Sequence, residues 1–171
     1  PDLDVVIVYP STYRVRQQQH DGHIVVEGDE LRLGESWQRG MVVLAWDSVQ
    51  RGAKDPNDGH DVVLHEFAHQ LDAEDGGMDG APDLETSERY RAWARVLGDE
   101  YAELRARVES HRTSSIDAYG AKNPPEFFAV VTEAFFEKPL MLADRHPELY
   151  AVLSDYFGLD PAALVQKKPA G

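Results

Sequence analysis

The chain contains no cysteine. That absence excludes a disulfide framework and thiolate ligands alike, so a metal bound here would take nitrogen and oxygen donors only. It also agrees with a reducing compartment, and a cytoplasmic location is the expectation. Long apolar runs are missing too: none approaches the roughly 18 residues that span a bilayer as a helix, so no membrane partner is expected. Basic residues are scarce, with Lys plus Arg numbering 17 against 31 Asp plus Glu, and the formal net charge of −14 would repel phosphate backbones. Nucleic acid is therefore not expected as a partner either. The chain opens at Pro1 rather than Met, which fits a fragment or a trimmed product.

What is present is enough apolar residue, in 171 positions, for one hydrophobic core, and a single domain over residues 1–171 is the expectation. The first third reads as sheet. Val5-Val6-Ile7-Val8-Tyr9, stopped by Pro10, has the composition of a buried strand; His23 to Glu27 and Glu30 to Leu33 flank Gly28-Asp29 like a hairpin; Met41 to Trp46 is the most strand-like run. Gln50 to Gly59 has the Gly and Pro content of a loop. Beyond it the pattern turns helical. Tyr90, Trp93, Leu97, Tyr101, Leu104 and Val108 recur at steps of three and four, and Asn123-Pro124-Pro125 starts a helix, apolar nearly all round, that ends before Pro139. A further helix runs from Pro147 to a stop at Gly158, and a helical start at Pro161 leads into the tail. The fold class is α+β, a small mixed sheet followed by a helical part.

Between the two parts lies Val62-Val63-Leu64-His65-Glu66-Phe67-Ala68-His69-Gln70-Leu71-Asp72. It contains H-E-x-x-H. Residues four apart on a helix lie one above the other, so the imidazoles of His65 and His69 leave one face and can share a metal ion, zinc by their spacing. Glu66 is turned about 100° around the axis, which sets its carboxylate beside the metal as a base for water. Asp58 or Asp61 can cap the helix, and Asp75-Gly76-Gly77 ends it. The histidines at 20, 23, 60, 111 and 146 have no such spacing and read as surface residues.

Two imidazoles leave a catalytic zinc site short of a ligand, and three carboxylates compete for the place. Asp75 follows His69 by six, but the sharp turn this needs would fall on Asp72, an L-residue, where glycine is favoured. Glu126 opens the buried helix next to a loop. Glu133, seven residues further on the same side, is deeper and suits a group that holds a ligand histidine in its tautomer or neutralises an arginine.

His65 to Asp72, taken with Tyr119-Gly120-Ala121-Lys122-Asn123-Pro124-Pro125-Glu126-Phe127-Phe128-Ala129, resembles the Mlc titration factor A family of zinc peptidases. The same blocks are similar to the catalytic domain of anthrax lethal factor, a gluzincin-type protease. The resemblance covers about Ile7 to Gly158. It implies a zincin-like metalloprotease fold, one Zn2+ on His65, His69 and Glu126, Glu66 as general base, and Tyr119 steadying the oxyanion. A peptide or protein is the implied substrate, with aminopeptidase and endopeptidase action both open, and β-strand Val42 to Trp46 is a candidate edge for it. The acidic residue that lethal factor carries four after its third ligand is Val130 here, so the group orienting His65 must be another, Asp72 or Glu133. Full-length relatives are expected to carry an additional N-terminal segment. The family's association with a sugar-responsive transcriptional repressor implies a rival role as a regulatory binding module, in which peptidase activity is secondary.

Overall fold

Val5–Tyr9 forms strand β1 and Met41–Ala45 strand β2 in the computed structural model, which describes residues 3–11 and 40–167. Helices follow: α1 (Trp46–Gly52), α2 (Val62–Asp72), α3 (Ser87–Glu109), a 3-10 turn at Ala118–Ala121, then α4 (Pro124–Glu137), α5 (Pro139–Arg145), α6 (Pro147–Phe157) and α7 (Pro161–Gln166). Among the described residues the only sheet is the parallel pair β1–β2, in register Val5↔Met41 to Tyr9↔Ala45, so the architecture is α+β and mostly helical. Parallel neighbours need a long connection, which the interval from Tyr9 to Met41 provides. The hairpin expected around Gly28-Asp29 lies outside the described residues.

Three expectations need correcting. β1 is exposed rather than buried, with Val5, Val6 and Val8 at 42–52% exposure, while Val42, Leu44 and Ala45 of β2 are buried. A short β-branched run has the same composition in either setting, and here β2 is the strand that packs on α2. Trp46 ends no strand; it begins α1, which takes the first part of the expected loop. Finally, α5 occupies residues 139–145, where the sequence pattern marks no separate helix: Lys138 breaks the α4 geometry (φ −124°, ψ 47°) and Pro139 restarts a helix from its first position.

The core forms around α4. Phe127, Phe128, Val131 and Phe135 are buried on it, and Trp93, Val96, Leu97 and Leu104 of α3, Leu142 of α5 and Leu149 and Leu153 of α6 close over them. Burying each such side chain stabilises the fold by roughly 1.5–3 kcal/mol. The α3 aromatics serve this core: the Trp93 ring meets Phe128 edge-on at 5.4 Å and Tyr101 meets Phe127 at 5.6 Å. Gln70, buried on α2, donates to the Met41 carbonyl and accepts from the Gly40 N–H, which fixes α2 to the start of β2.

Gly80 shows how tightly the loop after α2 is drawn in. Its N–H donates to the Asp72 carboxylate at 2.9 Å, its carbonyl accepts from the Trp93 indole at 2.9 Å, and its φ is +83°. A Cβ there would stand 2.7 Å from the Pro124 carbonyl oxygen, a backbone atom unable to yield. Gly80→Ala is therefore expected to cost roughly 2–4 kcal/mol, combining left-handed strain with overpacking. Thermal unfolding followed by circular dichroism should show a drop of roughly 5–15 °C in Tm. A Tm within 2 °C of the parent, to order of magnitude the effect of under 1 kcal/mol, would mean the loop relaxes freely.

Candidate metal centre

α2 starts where Asp61 accepts from the N–H groups of Val63 and Leu64, at 2.7 and 3.2 Å, the N-cap anticipated for Asp58 or Asp61. Four residues on, His65 and His69 project from one face, with Nε2 atoms 3.2 Å apart. Glu126 comes to them from the first turn of α4. Asn123 caps that turn by accepting from the Glu126 N–H at 2.9 Å, and Pro124 and Pro125 fill positions that need no donor. The Glu126 Oε2 atom lies 3.0 Å from His65 Nε2 and 3.3 Å from His69 Nε2. Among the described residues, these three form the one cluster able to hold a metal ion.

Electrostatics follow from the crowding. Burial alone would lower the His65 imidazole, but hydrogen bonds to Glu126 and Glu133 outweigh it and push the group up to about 9. Burial likewise raises Glu126, yet contacts with His65 and His69 hold it well below the usual carboxylate range. A pair of carboxylates around an imidazole thus retains a positive charge in the pocket. Glu66, partly buried next in sequence to His65, is raised by burial, with the two imidazoles opposing.

Glu133 contacts the rear of the first histidine. Its Oε1 lies 2.7 Å from His65 Nδ1, and its Oε2 accepts from the Asp61 N–H at 2.7 Å. A carboxylate only accepts, so Nδ1 carries a hydrogen toward Glu133; Nε2 carries one toward Glu126 in the charged ring, and loss of that second proton leaves a lone pair facing His69 and Glu126. Of the two candidates for orienting His65, Glu133 is the one that touches it. Asp72, 0% exposed, is turned to the Gly80 N–H instead. Val130, where lethal factor has its acid, is buried among the core residues. Asp75 stays away from the cluster: it is exposed and accepts from the Gly77 N–H at 2.8 Å.

The other oxygen of Glu126, Oε1, accepts from the Tyr119 hydroxyl at 3.2 Å and lies 3.6 Å from Lys122 Nζ. Burial and the Glu126 charge raise the Tyr119 phenol, so at neutral pH it is a hydrogen-bond donor. The place of Lys122 four residues before Glu126 is itself a sequence signal for this contact. Glu137 has a role that no motif marks. It accepts from the N–H groups of Gly59 and His60, at 2.8 and 2.9 Å, so that α4 holds the segment leading into α2 through two carboxylates. His146 departs from its surface reading: it is largely buried and bonded on both ring nitrogens, because it lies at the junction of α5 and α6 rather than in a free loop. His60 and His111 are exposed, and His20 and His23 lie outside the described residues.

Two imidazoles and a carboxylate converging beside a partly buried glutamate are the residue types of a hydrolytic metal centre. The chain belongs to the glucose-regulated metallo-peptidase M90 family, whose model matches residues 1–158. It is 47% identical over 163 residues to the uncharacterized protein slr2042 of Synechocystis sp., covering 94% of this chain and 59% of that one. It is 34% identical over 171 residues to Mlc titration factor A of Serratia proteamaculans, covering 96% and 63%, and 33% identical over 168 residues to Mlc titration factor A of Yersinia pestis, covering 95% and 60%. The chain thus spans about three-fifths of the length of these curated relatives.

Proposed function

We propose that the chain is a zinc-dependent peptidase domain of zincin-like fold in which His65, His69 and Glu126 hold one Zn2+ and Glu66 is the general base. The observation that carries this reading is the spacing of the donor atoms. Ligand atoms about 2.0–2.1 Å from a tetrahedral centre stand about 3.3 Å from one another. The three pairs here are 3.0, 3.2 and 3.3 Å apart. The donor set of two nitrogens and one oxygen suits Zn2+, which supplies Lewis acidity and acidifies water when bound.

In this mechanism Glu66 accepts a proton from the water that attacks the scissile carbonyl and delivers it to the departing amine, and the raised affinity for protons that burial gives its carboxylate favours the first of these transfers. The Tyr119 hydroxyl donates to the oxyanion of the tetrahedral intermediate. Glu133 keeps His65 in one tautomer throughout. The direct test is metal content followed by peptide hydrolysis with and without a chelator. Stoichiometric zinc, and hydrolysis abolished by chelation and restored by zinc, is the expected result; hydrolysis indifferent to chelation would overturn it.

Tyr119→Phe checks the oxyanion role. It removes one donor and little packing, since the ring is 46% exposed. The kcat is expected to fall by about 10²–10³ with KM nearly unchanged, the pattern of an interaction made in the transition state. An unchanged kcat would reduce Tyr119 to a hydrogen-bond partner of Glu126.

A second reading is favoured by the name of two relatives, Mlc titration factor A. On it, the chain binds a transcriptional repressor of the Mlc kind, and that binding is its main role. Binding alone does not require a base, so Glu66→Gln would leave repressor capture intact while removing hydrolysis.

A further inference from the structure

Away from the metal centre, three side chains from separate elements form a hydrogen-bonded line. Ser115 Oγ lies 2.7 Å from His146 Nε2, and His146 Nδ1 lies 2.7 Å from Glu100 Oε2. Glu100 belongs to α3, Ser115 to the segment before the 3-10 turn, and His146 to the α5–α6 junction. The chemistry fixes the direction of the bond to Glu100, and in the neutral ring it fixes the bond to Ser115 as well. The Glu100 carboxylate only accepts, so Nδ1 carries the hydrogen; Nε2 of the neutral ring then offers a lone pair, and the Ser115 hydroxyl donates to it. Nucleophile, base and orienting acid are thus in hydrogen-bond contact, with the base in the tautomer that proton abstraction needs. The line does not end in packed core, because Ser115 lines a cavity of about 380 Å³ together with Ile116, Val130 and Ala134 and with Asp58 and Asp117. Arg112 and Lys138 also line it, and each carries donors able to face a developing oxyanion.

We propose that Ser115, His146 and Glu100 form a second, metal-independent hydrolytic centre that acts on small carboxylic esters. Ser115 Oγ bonds to the ester carbonyl carbon as its proton passes to His146 Nε2, and the negative charge develops on the carbonyl oxygen. On collapse the carbon–oxygen bond to the alcohol breaks, and His146 returns the proton to the leaving alkoxide. Water then attacks the acyl-serine by the same exchange, releasing the carboxylic acid and restoring Ser115. Ester and water give acid and alcohol, with no co-reactant. Glu100 orients and stabilises the imidazolium throughout. The same bonds tie α3 to the α5–α6 junction, but a purely architectural clasp has no need to stand at the lining of a cavity.

The test uses the whole chain kept in excess chelator, so that it is independent of any metallopeptidase activity. A fluorophosphonate probe, with the adduct mapped by mass spectrometry, should modify Ser115, and p-nitrophenyl acetate should be hydrolysed under the same conditions. Ser115→Ala is expected to lose both, with its melting temperature near that of the parent. His146→Gln, which keeps hydrogen-bonding capacity without a base, should slow ester turnover by about 10²–10⁴. An unmodified Ser115 in the parent protein overturns the proposal without recourse to any variant. Ester hydrolysis undiminished in Ser115→Ala overturns it as well.

Discussion

Glu66→Gln is expected to bind zinc as tightly as the parent and to hydrolyse peptides about 10²–10⁴ times more slowly. The argument separates holding the metal from moving the proton. The three donor atoms that converge belong to His65, His69 and Glu126, and Glu66 is not among them. The substitution is nearly isosteric and leaves the α2 cap and the Glu133 contact untouched. What changes is basicity. An amide cannot take the proton of the attacking water at neutral pH, whereas a carboxylate raised by burial and opposed by two imidazoles is suited to it. Zinc titration and steady-state kinetics on the same preparation decide the matter. Full turnover at full metal occupancy would remove Glu66 from its role.

The sequence made the helical part legible because its signals were redundant. In α4, the Asn123 cap, the Pro124-Pro125 start and an apolar surface all round agreed with one another, and the helix is the centre of the core. The motif helix was equally well marked, by H-E-x-x-H and by an aspartate at its start. Less legible was anything decided by a partner distant in sequence. Nothing in Val5 to Tyr9 tells whether a β-branched run lies inside the molecule or at its edge, and β1 proved exposed. His146 has no spacing rule to betray it, since its partners Glu100 and Ser115 are 46 and 31 residues away. The same holds for the choice between Asp72 and Glu133 as the group behind His65. Both were suitable carboxylates, and only the packing of α2 on α4 brings Glu133 to the imidazole while Asp72 turns to Gly80.

That packing also ranks the carboxylates in the last and most demanding experiment. Glu126→Gln is expected to reduce zinc affinity most, by at least about 10²-fold, because it replaces a charged oxygen donor with a weak neutral one. The fold should survive, since Asn123 caps the backbone N–H of residue 126 whichever side chain it carries. Glu133→Gln should lose an intermediate amount, about 10–100-fold, as expected where the partner of a ligand histidine is altered. An amide can still accept from His65 Nδ1, but it no longer offers a charge to stabilise the ring. It can also turn its NH2 toward the Asp61 N–H, which would then lose its acceptor at the start of α2. Asp75→Asn should bind zinc like the parent, because Asp75 is an exposed residue occupied with the Gly77 N–H. Competition titrations against a chromogenic chelator, with circular dichroism to verify folding, give the three affinities. If Asp75→Asn were the weakest binder, the third ligand would come from the loop after α2, and the approach of Glu126 to the two imidazoles would be an ion pair without a metal.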